Sequence, residues 1–211
     1  MGTIVIWLLA SVASAQDPPA PDPPDEPPER RPLVVAVRGI AETWSDPGIG
    51  TVYGTGGLLS GLGVVVPLLG PLSLDIEAAY RRMYTDDGAE TPDDTFVMEM
   101  LPVSFVVEWT LANETSPVEG FVGLGPSFAG FREHHPRDAE GFGVTRGAKF
   151  GLETRVGVRF DTGLVQPTMA PTSPVRGVDL ELYGARRLQL PGGKGFDLDA
   201  WRGGVGLAVR I

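Results

Sequence analysis

Hydrophobic and polar positions alternate with a period of two over most of the chain beyond residue 33. In LVVAVRGIAETW the odd positions Leu33, Val35, Val37, Gly39 and Ala41 are apolar, while Arg38 and Glu42 fall on even ones. LSLDIEAAYRRMY sets Leu72, Leu74, Ile76, Ala78 and Tyr80 against Ser73, Asp75, Glu77 and Arg81. KFGLETRVGVRF sets Phe150, Leu152, Val156, Val158 and Phe160 against Lys149, Glu153, Arg155 and Arg159. VDLELYGARR sets Val178, Leu180 and Leu182 against Asp179, Glu181 and Tyr183. The last ten residues, RGGVGLAVRI, carry the alternation to the terminus, with Val205, Leu207, Val209 and Ile211 on one parity and Gly204, Gly206, Ala208 and Arg210 on the other. Period two with one apolar and one polar face is the pattern of a β-strand.

Three further segments are less tidy. GGLLSGLGVVVPLL is mostly apolar on both parities and ends at Gly70-Pro71, a tight-turn pair. TFVMEMLPVSFVVEW puts Glu99 on odd parity but Ser104 and Glu108 on even, which predicts a phase slip at a bulge near Pro102. VEGFVGLGPSFAGF is Gly-rich, with Glu119 its one charge; the total is eight strands. The connections around 45–54, 85–94, 132–146 and 189–197 are polar and rich in Gly and Asp. The alternate ones are the Gly70-Pro71 turn, ANETSP, and a long third turn at 161–175. Long loops at one end and short turns at the other mark a membrane barrel, and only the third turn departs from that pattern. No apolar stretch reaches the ~20 residues a spanning helix needs, whereas each strand segment covers the ~9–11 that a spanning strand needs. The expected fold is all-β, an eight-stranded antiparallel up-and-down transmembrane β-barrel over residues 33–211.

Composition narrows the picture. A chain of 211 residues with 29 Gly and 20 Pro accommodates one ordinary domain with many turns. The absence of Cys excludes a disulfide framework, a thiolate zinc site and a lipid-modified Cys anchor. A formal net charge of −10, with no basic stripe in the sequence, argues against general affinity for nucleic acid or anionic head groups. Residues 1–15 read as a signal peptide, with an apolar run from Thr3 to Leu9 and a small-x-small cleavage site at Ala13-Ser14-Ala15, although no Lys or Arg precedes the run. Residues 16–32, QDPPAPDPPDEPPERRP, are too rich in Pro and acid to pack and read as an extended periplasmic tether.

One apolar and one charged face fit two opposite objects. A soluble, lipocalin-like carrier turns its apolar face inward around an apolar ligand, whereas a membrane barrel turns it outward to lipid. Close mixing of signs on the polar parity favours the second, because such groups can pair inside a narrow bore. The expected interior network comprises Arg38, Glu42, Asp75, Glu77, Arg81, Glu153, Arg155, Arg159, Asp179, Glu181 and Arg202. Gly204 and Gly206 crowd the polar parity where space is short. Tyr80, Tyr84, Phe96, Trp109, Phe128, Phe160 and Trp201 fall near strand ends, as interfacial girdles do.

Glu99-Met100-Leu101-Pro102-Val103, Phe121-Val122-Gly123-Leu124-Gly125-Pro126 and the terminal strand resemble the small outer-membrane β-barrel domain family of Gram-negative bacteria. The resemblance covers residues 33–211. It implies residence in the outer membrane after secretion across the inner one. It also implies that Val205, Leu207, Val209 and Ile211 form the signal read by the outer-membrane insertion machinery. The family usually ends on Phe, and this chain ends on Ile211.

Catalytic chemistry finds little support. Only His134 and His135 are present, and Ser127 and Glu133 lie near them without a pattern that puts all on one face. No metal-ligand spacing, phosphate loop or dinucleotide fingerprint occurs, so neither cofactor nor metal is expected. Asn113-Glu114-Thr115 matches a glycosylation acceptor only formally. Eight strands leave a bore filled by side chains. The expectation is a monomeric structural or surface-interaction barrel without enzymatic activity, with a narrow gated channel for small solutes and the periplasmic carrier as alternatives.

Overall fold

The computed structural model describes residues 31–85, 96–111, 116–134, 144–164, 174–190 and 197–211. The expected signal peptide, the tether up to residue 30, Asn113-Glu114-Thr115, His135 and residues 165–173 of the third turn lie outside the described residues. The strands are β1 (Val34–Trp44), β2 (Gly56–Pro67), β3 (Leu72–Tyr84), β4 (Val97–Thr110), β5 (Val118–His134), β6 (Thr145–Asp161), β7 (Gly177–Gln189) and β8 (Ala200–Arg210). They pair antiparallel in chain order and close into a barrel, with β8 returning to β1. The closure extends to the last residue, where the Ile211 amide donates to the Leu33 carbonyl at 2.8 Å.

The period-two pattern decides which face is which. Val37 is 62% and Leu207 57% exposed, whereas Arg38 and Glu77 are each at 1%. Apolar parity therefore faces outward on β1, β3, β6, β7 and β8, and charged parity faces the bore. This is the reverse of a carrier for an apolar ligand.

Three readings of the sequence need correction. β4 has no bulge: its register against β5 is the same from Val97↔His134 to Thr110↔Phe121, and Met98, Met100, Pro102, Ser104 and Glu108 all face inward. Glu99 is an outward carboxylate close to the strand end. Pro102, which has no N–H, only interrupts the ladder to β3, which resumes in the same register. The loop at 45–54 holds a short helix, α1 (Pro47–Tyr53). Asp46 accepts from the Gly48 amide at 2.6 Å, and Pro47 takes the position where a missing N–H costs nothing. The aromatic girdle is partial. Tyr84 and Trp201 stand at the loop end and Trp109 near the opposite one, but Phe128 sits mid-strand against Phe150 at 5.2 Å, and Phe96 packs on the core.

Candidate functional site

The bore is filled in layers, and its centre is ionic. Arg38 on β1 contacts Asp75 at 2.8 Å, Glu77 at 2.9 Å and Glu181 at 2.8 Å. Arg155 on β6 pairs with Asp75 and with Glu153 at 2.6 Å, and Arg202 on β8 bridges Glu77 at 2.6 Å and Glu153 at 2.7 Å. Below them Arg159 joins Glu181 at 2.9 Å to Glu108 at 2.6 Å. Tyr183 donates to Glu77 at 2.8 Å, and its ring lies beneath the Arg155 guanidinium at 4.5 Å. The result is one connected set of four arginines and five carboxylates from β1, β3, β4, β6, β7 and β8. Desolvating these ions is costly, and only such multiple pairing offsets it.

β2 contributes room to this layer and β5 an aromatic ring. A Cβ on Gly63 would lie 2.5 Å from an Arg38 nitrogen. Phe121 on β5 packs under Arg159, whose guanidinium is 4.2 Å from the ring centre.

The loop end is capped by apolar side chains. Ile49 and Tyr53 of α1 pack with Trp44, Met83, Met98 and Leu198. The Tyr53 hydroxyl donates to Glu133, and burial first, then that carboxylate, pushes the phenol well above the ordinary range and keeps it a donor. Beneath this cap Arg187 pairs with Glu42 and donates to the Leu198 carbonyl at 3.2 Å. Arg81 donates to the Gly56 carbonyl at 2.8 Å. At the terminus end Arg210 contacts Asp161 at 2.6 Å and Asp179 at 3.1 Å. These groups, with Glu119 and Arg159, line a cavity of about 240 Å³.

All eleven expected network residues are thus buried in the bore, but not in one group. Arg38, Asp75, Glu77, Glu153, Arg155, Arg159, Glu181 and Arg202 meet at the centre. Glu42 and Arg81 belong to the capped end and Asp179 to the open one. Glu108, Tyr183 and Arg187 are additional members. Parity could have found them, because each follows the inward phase of its strand once the bulge is removed and the β7 pattern is extended.

Ser127, Glu133 and His134 do not converge: Ser127 and Glu133 are buried on the inward face, while His134 lies 3.7 Å from the outward Glu99. Among the described residues no three His, Cys, Asp or Glu side chains are grouped to hold a metal ion.

Asp46 ties the cap to the neighbouring connection. The hydrogen bond from the Asp197 amide, 2.8 Å long, and then those from α1 hold its carboxyl below the usual range. A lowered carboxyl stabilises this tie above the unfolded value of ~3.9 and releases it as pH falls through the lower native value. Hydrogen exchange, corrected for intrinsic rate, should show the Gly48 and Asp197 amides protected at neutral pH and less so in acid. Asp46→Ala should remove that protection at every pH; unchanged protection in the variant would remove Asp46 from this role.

A closed antiparallel barrel with an apolar exterior and a salt-bridged bore defines a transmembrane barrel of the outer-membrane kind. Solved structures with this fold include Neisserial surface protein A, which is 14% identical, with a TM-score of 0.51 over 85% of this chain and 96% of that one. The outer membrane protein OprG from Pseudomonas aeruginosa is 13% identical, with a TM-score of 0.55 over 86% of this chain and 97% of that one. The likeness is one of fold. No family model and no curated protein sequence matches the chain.

Proposed function

We propose that this chain is a non-conducting barrel of the outer membrane with a structural or surface-interaction role, its specificity carried by the loops. The observation that carries this reading is the Arg38–Asp75–Glu77–Arg155–Glu153–Arg202 set, which crosses the bore between β3 and the non-adjacent β6 and β8. On this reading residues 1–15 direct secretion and residues 16–32 form a periplasmic tether. The outward Val205, Leu207, Val209 and Ile211 are presented to the insertion machinery, and the barrel acts as a monomer.

Two measurements test it. In washed outer membranes the full chain should run as a carbonate-resistant band whose gel mobility changes on boiling. A band confined to the soluble periplasm would refute the membrane assignment. The purified chain in planar bilayers should give no steady conductance. Steady conductance would favour the narrow gated channel instead, a reading supported by the cavity that opens the bore as far as Arg159.

A further inference from the structure

The outer wall carries a feature that the linear sequence hides. Arg82, Glu99, Arg132 and Arg146 are successive cross-strand partners on β3, β4, β5 and β6, all on the outward parity. Each lies within two residues of the loop end of its strand. The row thus sets three guanidiniums against one carboxylate, with His134 adding to the positive side when protonated.

Glu99 serves only part of the row: it is 4.0 Å from Arg82, 3.7 Å from His134, and accepts from the Tyr80 hydroxyl at 3.4 Å. Arg132 and Arg146 face each other directly and have no ion pair among the described residues. By contrast, the outward Arg186 is 3.6 Å from Asp199, bonds Ser45 at 3.0 Å and stacks on Trp201 at 4.8 Å. Like charges directly opposite on neighbouring strands are destabilising. Two guanidiniums side by side, with no carboxylate paired to either among the described residues, form a compact positive patch on a chain with a net charge of −10.

The surroundings say what kind of ligand such a patch suits. A shallow groove of about 360 Å³ runs along the row, lined by Tyr80, Glu99, Leu101, Gly130, Arg132 and Arg146. Its floor is Gly130, which projects no side chain. Toward mid-barrel the outward face becomes apolar at once, with Leu101 and the 64% exposed Phe150. Tyr80 and Tyr84 flank the row on β3, as residues of the interfacial level do.

We infer that Arg132 and Arg146 form a binding site for the phosphate headgroup of an anionic lipid in the loop-side leaflet, whose acyl chains run down the groove over Gly130 and Leu101. The fork of a guanidinium matches phosphate oxygens, and two forks on adjacent strands can clamp one phosphate. A lipid fits better than free phosphate because the site opens directly onto the apolar belt. This inference rests on the membrane-barrel reading above.

The test uses the folded full chain in detergent micelles, with dioleoyl phosphatidic acid, dioleoyl phosphatidylcholine or inorganic phosphate as probes and native mass spectrometry as the readout. The wild type should retain one phosphatidic acid in preference to phosphatidylcholine, and 10 mM inorganic phosphate should not displace it. R132Q/R146Q should lower that retention at least tenfold and leave phosphatidylcholine unchanged, with gel mobility on boiling showing that the variant is folded. If the double variant fails to fold, R146Q alone should still lower retention severalfold. Equal retention of the two lipids by the wild type, retention unaffected by the substitutions, or displacement by inorganic phosphate would overturn the lipid site. Gel mobility in washed membranes, which needs no lipid probe, separates that failure from failure of the barrel reading.

Discussion

Arg38→Met is expected to abolish the folded, heat-modifiable form of the barrel. Arg38 is 1% exposed, and its guanidinium is shared among Asp75, Glu77 and Glu181. Methionine fills most of the volume, so packing alone would change little. Removing the cation, however, leaves three buried carboxylates short of a partner, and breaking a buried ion pair from one side costs ~3–5 kcal/mol. That approaches the lower end of the whole stability of domains, ~5–15 kcal/mol. Arg38→Lys keeps the charge but cannot reach three carboxylates with one planar fork, so it should fold with a lower urea midpoint. Refolding in detergent, followed by gel mobility and urea titration, measures both. A methionine variant with the wild-type midpoint would show that the ionic layer does not hold the barrel together.

Gly125→Ala should be nearly as damaging, for a purely steric reason. A Cβ at this position would lie 1.8 Å from the Phe105 carbonyl oxygen on β4. The clash is with backbone, which cannot swing aside as a long side chain does, so β4 and β5 would have to separate. Overpacking of this kind sits at or beyond the upper end of ~1–3 kcal/mol. Gly184→Ala is the matched control, because nothing lies within 4 Å of its added Cβ. The control should stay within ~0.5 kcal/mol of wild type. Equal urea midpoints for the two variants would contradict the close approach of β4 and β5.

This contrast also explains a sequence motif. In Phe121-Val122-Gly123-Leu124-Gly125-Pro126, Phe121 carries the Arg159 guanidinium, and a Cβ on Gly123 would come within 2.5 Å of Val106. The motif is a packing solution for a crowded wall.

Parity was legible because strand geometry imposes it locally: each inward charge could be read from its two neighbours. Partnership was not legible. Arg38 and Glu181 are 143 positions apart, and their contact depends on how far the strands tilt when the barrel closes. The outer row of arginines was hidden for the same reason, since register alone brings Arg82, Arg132 and Arg146 side by side. The phase slip assigned to Pro102 came from treating Glu99 as an inward charge. A strand that emerges from an apolar belt can carry a carboxylate outward near its end. The helix α1 was legible in principle, since Asp46-Pro47 followed by Ile49 and Tyr53 at a spacing of four is a capped amphipathic turn. Its brevity placed it among the loops.

The unequal ends of the bore give the molecule a direction that its wall lacks. The Ile49–Tyr53 cap closes the loop side, while the cavity beside Arg210 leaves the terminus side accessible. On the non-conducting reading proposed above, water entering from that side would stop at the Arg159–Glu108 pair. The barrel is a cup with its rim on the side of Leu33 and Ile211. From that side the cavity reaches Asp161 and Asp179, while Asp75, Glu77 and Glu181 around Arg38 are fully buried.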